Sequence, residues 1–215
     1  MEEIREQAPM QDAELEQAPA QKAEPEQAPE EKPTKKQVAM EWIKDFIIAI
    51  IIAVIVMQFI RPTVVRQSSM EPNLYDGHYL LLSKQEYGLF GKDPQYGQIV
   101  VFESDMVVEE TGQQKLLIKR VIGKPGDKIQ IKNGYVYRNG EKLDEDYIMT
   151  PGATYMPYDE GSATIKVPEG EYFLMGDNRE VSVDSRWPEV GTVKEDRIVG
   201  KVMCRVYPFD QMCKL

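Results

Sequence analysis

From Phe46 to Ile60 every position except Gln58 is apolar, and no helical face of that run is polar. A core helix of a soluble domain keeps a polar stripe for water. Its absence here predicts a helix that crosses a membrane. The run falls short of the roughly 20 residues that span a bilayer. Extended back to Trp42 it reaches the lower end of the range. Trp42 suits the headgroup region, and Lys44 is long enough to reach it. The anchor is placed at residues 38–61. A removed leader would be followed by a small-x-small pattern, whereas "RPTVVRQSS" follows this run.

After the anchor the period changes. "HYLLLSK" and "GQIVVFES" are aliphatic runs of strand length, and "KIQIKNGYVYRNGEKL" alternates at period two around two Asn-Gly pairs, a hairpin signal. "TIKVPEGEYFLMGD" and "RIVGKVMCRVYPF" add further strands. No second stretch has the spacing of an amphipathic helix. Residues 62–215 therefore read as a mostly β domain of barrel-like or sandwich type, with 131–166 as a small β-hairpin cap. Residues 1–37 read as a disordered acidic tail. "EQAP" recurs at 6–9, 16–19 and 26–29, and the segment has too few large apolar side chains to offset its ordering entropy.

Charge and rare residues narrow the chemistry. A net charge of -10 argues against a sequence-independent grip on nucleic-acid phosphates. One histidine, His78, and two cysteines cannot build a Cys/His metal cluster, and no metal or cofactor is expected. Cys204 and Cys213 could pair in an exported domain, but nothing in the sequence fixes their distance, so they read as free thiols. Lys32, Lys35, Lys36 and Lys44 precede the apolar run, while Arg61 and Arg66 follow it. This bias favours a cytoplasmic N-terminus and a β domain on the outer face of the cell membrane.

"LLIKRVIG", residues 116–123, carries two charges inside an apolar strand pattern. At period two Lys119 and Arg120 point to opposite faces. That stretch alone fits a solvent-exposed face. Two other stretches alter its meaning. "RQSSMEPNLYDGHYLLLSK" offers Ser69 as a nucleophile, which needs a base. His78 sits in a "DGH" turn and reads as a solvated turn residue. A desolvated lysine can serve instead, because burial favours the neutral amine. "GDNREVSVDSR", residues 176–186, is turn chemistry that supplies a hydroxyl and paired charges.

Together the apolar anchor, "SSMEPNLYDG", "IKRVIGKPGDKI" and "GDNREVSVDSR" resemble the type I signal peptidases, in one order across about residues 40–210. The compact chain with one anchor looks like the Gram-positive form. The resemblance implies a Ser/Lys serine peptidase that removes signal peptides from exported preproteins. Ser69 matches the nucleophile, Lys119 the general base, and Ser182 the hydroxyl that orients the lysine. Asp184, Asp177, Arg120 and Arg186 match charges that hold the site's loops. The Ser69 backbone N–H matches an oxyanion donor. Gln67, where many relatives have Gly or Ser, is a weak second candidate. Substrates would be signal peptides with small residues at positions -1 and -3, laid against strand edges near residues 64–68 and 116–118. Two other readings stay open on sequence: a non-enzymatic membrane-tethered β domain that binds envelope partners, and a pilin-maturation-type Ser/Lys peptidase.

Overall fold

The computed structural model describes residues 34–84, 92–109, 111–158, 163–213 and 215. Most of the tail expected at 1–37 lies outside the described residues. Its last part, Thr34 to Gln37, opens the helix. The Thr34 backbone N–H donates to Gln37 Oε1 at 2.8 Å, and Gln37 N–H donates back to Thr34 Oγ1 at 3.4 Å. This reciprocal cap starts helix α1, Lys35–Phe59, of 25 residues. At 1.5 Å per residue it is about 37 Å long, enough to cross a hydrocarbon core of about 30 Å. None of its residues is buried, and among the described residues it is the one helix long and apolar enough to span a membrane.

The rest is antiparallel β structure. The strands are β1 (Ile60–Val64), β2 (Tyr79–Ser83), β3 (Ile99–Val107), β4 (Gln114–Gly123), β5 (Lys128–Lys132), β6 (Tyr135–Arg138), β7 (Glu141–Lys142), β8 (Ala163–Lys166), β9 (Glu171–Met175), β10 (Val193–Lys194) and β11 (Ile198–Tyr207). A seven-stranded sheet runs β1-β2-β11-β3-β4-β9-β10, and a four-stranded sheet runs β7-β6-β5-β8. Two 3₁₀ turns, Glu195–Arg197 and Phe209–Gln211, complete the described helical structure.

Strand β3 shows why the large sheet is buried on both faces. Val100 and Phe102 join one apolar cluster with Leu117, Val121 and Leu174. Ile99 and Val101 join another with Val65, Met70, Leu80 and Leu82. A continuous aliphatic run such as "IVVF" requires cover on both sides. A third cluster, including Ile122, Ile129, Val136 and Phe173, brings the small sheet against β4 and β9.

Both Asn-Gly pairs form the expected tight turns, with positive φ at Asn133 (52°), Gly134 (79°), Asn139 (53°) and Gly140 (90°). The insert is larger than a hairpin, however. It begins at β5 rather than at residue 131, because β8 returns to pair with the free side of β5.

Two sequence expectations fail. Cys204 and Cys213 are bridged, not free, with Cα atoms 4.4 Å apart. The chain reverses after Tyr207, and Cys213 N–H donates to the Arg205 carbonyl at 2.8 Å, which returns it to β11. That reversal leaves no trace in the spacing. His78 is buried rather than solvated. Its Nδ1 accepts from Tyr75 N–H at 3.2 Å and lies 3.4 Å from Arg205 Nη1. Burial, then the Arg205 charge, holds its pKa below the ordinary value.

Candidate active site

The loop between β1 and β2 is closed at its base by Val65 N–H to the His78 carbonyl and Gly77 N–H to the Val65 carbonyl, at 2.8 and 3.0 Å. Buried Met70 and Leu74 pin it to the core. Ser69 rides on this loop, and its carbonyl accepts from Asn178 N–H at 3.1 Å. Two loops distant in sequence are thereby held together.

Lys119 lies in the middle of β4, opposite Val100 of β3, and is only 1% exposed. Its Nζ donates to Ser69 Oγ at 2.7 Å and to the Ile118 carbonyl at 3.0 Å. Burial holds its pKa down to about 8; Asp184 and Asp177 act in the opposite direction, while Lys115 and Arg186 add to the depression. At that value about a tenth of the lysine is the neutral amine at pH 7, and in that form the nitrogen can accept the serine proton across the same contact.

Arg120 goes to the other face, as the strand period requires, but not to water. Its Nε and Nη2 donate to the two Asp177 oxygens at 2.8 and 2.6 Å, and its guanidinium lies 4.2 Å from the centre of the Tyr147 ring. Asp184 takes Arg186 Nε at 2.8 Å on one oxygen and Gly176 N–H at 3.0 Å on the other. Burial pushes the Asp184 carboxyl upward, yet Arg186 and the Gly176 amide outweigh it and hold the group below its usual range.

Ser182 is buried beside this pair. Its hydroxyl is close enough to help keep Asp184 ionised, but it has no partner of ordinary hydrogen-bond geometry, and Lys119 is not bonded to it. The expected orienting contact is thus replaced by the Ile118 carbonyl. Gly176 explains the tight approach: a Cβ there would fall on Ser182 Oγ and on the Ser69 carbonyl oxygen. Gln67 is exposed and has φ 89°, a region that favours glycine, and its N–H donates to Asp76 Oδ1 at 3.0 Å.

Three supporting residues, Asn73, Arg179 and Glu145, escaped the sequence reading. Asn73 Nδ2 donates to Asp177 Oδ2 at 2.8 Å and to the Tyr147 carbonyl at 2.7 Å. Arg179 pairs with Glu145 at 2.5 Å in the interior. Asn73 lies inside "SSMEPNLYDG", where turn residues invite a local explanation. Glu145 carries no signal of its own.

A groove of about 710 Å³ runs past Ser69 and Lys119. One wall is β1, an edge strand of the large sheet. The other is the first half of β4. Strand β9 pairs with β4 only from Arg120 onward, so the segment up to Lys119 has β3 on one side and an open edge on the other. Met70, Val101, Leu116 and Ile118 line the groove with apolar surface. The arrangement offers an activated hydroxyl and two unpaired strand edges, which suits acyl transfer on an extended peptide.

The model of the family "Signal peptidase, peptidase S26" matches residues 39–207. Signal peptidase I of Bacillus licheniformis is 35% identical over 187 residues, covering 84% of this chain and 95% of its own length. Signal peptidase IB of Staphylococcus aureus (strain COL) is 37% identical over 190 residues, covering 82% and 93%. A crystal structure of a signal peptidase I from Enterococcus faecalis V583 is 33% identical, covering 51% of this chain and 97% of that one, with a TM-score of 0.39.

Proposed function

This chain belongs to the signal peptidase family, peptidase S26, and is a serine peptidase that cleaves signal peptides; on that premise we propose that Ser69 is its nucleophile and Lys119 its general base. The observation that carries the assignment is the 2.7 Å contact between Lys119 Nζ and Ser69 Oγ on a desolvated strand face.

In this mechanism the neutral Lys119 amine takes the Ser69 proton as Oγ attacks the scissile carbonyl. The Ser69 backbone N–H steadies the oxyanion, and Gln67, beside it on the groove wall, is the weaker second donor. The lysine then gives its proton to the leaving amine. In the second half it draws a proton from water, which hydrolyses the ester. Asp177 with Arg120, and Asp184 with Arg186, hold the two loops that meet at Ser69. Ser182 contributes through its packing under Gly176. The preprotein lies extended between β1 and β4, with its -1 and -3 side chains turned toward the apolar lining. Small residues fit there.

The chain is read as a tail at 1–37, an anchor at 38–61 and a catalytic domain at 62–215 on the outer face. Lysine excess before the anchor supports that orientation. Tethering places enzyme and substrate in one bilayer, which raises their effective concentration without a new contact.

The test is cleavage of a precursor with an Ala-x-Ala junction, followed by N-terminal sequencing of the product. Ser69→Ala and Lys119→Ala should each lose roughly 10³-fold or more in rate while remaining folded, and Lys124→Ala should stay active. Normal cleavage by folded Ser69→Ala removes the assignment and moves the nucleophile to another residue.

A further inference from the structure

Strand β4 carries a second lysine on the face of Lys119. Lys115, Leu117 and Lys119 alternate onto one side of the strand. Lys119 is buried against Ser69, whereas Lys115 is half-buried. Among the described residues the Lys115 ammonium has no ion-pair partner.

A second cavity, about 280 Å³, shares Gln67, Ser69, Lys115, Leu117 and Lys119 with the groove and extends from it. Its further walls are Met106 of β3 with Val181 and Val183 of the 176–186 loop. Those two valines are 57% and 37% exposed, so they present apolar surface with nothing over it. No carboxylate lines this cavity, and Lys115 is the one cation in it besides Lys119.

The leaving amine must take its proton from Lys119, so the chain beyond the cut departs beside that side chain. The groove between β1 and β4 is filled by the part before the cut. The second cavity is the space that remains at the dyad. We propose that it receives the first residues of the mature segment, and that Lys115 makes it selective for an acidic side chain there. The inference rests on the Ser69/Lys119 assignment. A carboxylate gives Lys115 a counter-charge at a partly desolvated site, while a lysine or arginine in the same place meets an unneutralised ammonium. Ion pairs of that exposure contribute modestly, which corresponds to about a two- to five-fold preference.

The experiment uses full-length enzyme in lipid vesicles. The precursors differ only by Glu, Gln or Lys at each of the first few positions after the cut, and a parallel set varies position -2. The Glu-to-Lys ratio of kcat/KM is taken within each enzyme, so changes in folding or in Lys119 itself cancel. In the wild type the ratio should favour Glu at a position after the cut and shrink as salt rises. It should approach one in Lys115→Gln and invert in Lys115→Glu. An unchanged ratio in both variants, or a response confined to position -2, overturns the proposal. Ser69→Ala is the control for the dyad: its activity on every precursor would mean that the underlying assignment has failed, whatever the ratio does.

Discussion

Lys119 is the proposed general base, and its neighbours set its proton affinity. Burial lowers its pKa from 10.5 to about 8, while Asp184 and Asp177 restore part of it. In the proposed mechanism the reactive form is the neutral amine. kcat/KM should therefore fall about ten-fold per pH unit below about 8 and level off above it, with chemistry limiting. Lys115→Gln removes a positive charge that helps the depression, so its limb should move to higher pH. A pH–rate profile that is flat from mildly acid to alkaline conditions contradicts this account. The same shift lowers stability. Between about 8 and 10.5 the folded state binds fewer protons than the unfolded one, so stability rises with pH across that window; below it the cost is about 3 kcal/mol. Period two in "LLIKRVIG" placed Lys119 and Arg120 on opposite faces correctly. It could not tell that both faces are covered, because burial depends on Asp177 and Ser69, residues far away in sequence.

At the scale of elements, the 176–186 loop is where core packing meets the proposed site. Gly176 lies so close to Ser182 and to the Ser69 carbonyl that a methyl group cannot be added without moving one of them. Gly176→Ala should cost about 1–3 kcal/mol in thermal unfolding, as overpacking does, and at least ten-fold in kcat/KM. Gly97 is a useful control, since a Cβ there meets nothing within 4 Å and only its φ of 75° is unfavourable. An alanine at 176 that leaves both quantities at the control's level would show that the loop yields freely. Other elements were legible for physical reasons. Asn-Gly pairs demand positive φ, so both turns of the small sheet could be read directly. The pairing of β8 with β5 could not, because no local signal states which edge a returning strand will choose. His78 misled for a similar reason: its turn looks solvated until Arg205 packs against it.

For the whole molecule, α1 and the β structure were readable as a change from an unbroken apolar run to period-two alternation. Orientation is a matter of charge bias, and it has a direct check. In intact cells a membrane-impermeant reductant followed by an impermeant maleimide should label Cys204 and Cys213. Labelling that appears only after permeabilisation places the domain on the other side. The bridge itself carries a further consequence. Thiols stay reduced in the cytosol and pair in oxidising surroundings. The turn that Cys213 closes is also the one in which Arg205 Nε reaches the Gln211 carbonyl at 3.0 Å. On the proposed orientation the Cys204–Cys213 link forms only once residue 213 has crossed the membrane, so the bonded fraction would serve as a clock for how far each molecule has travelled through biogenesis.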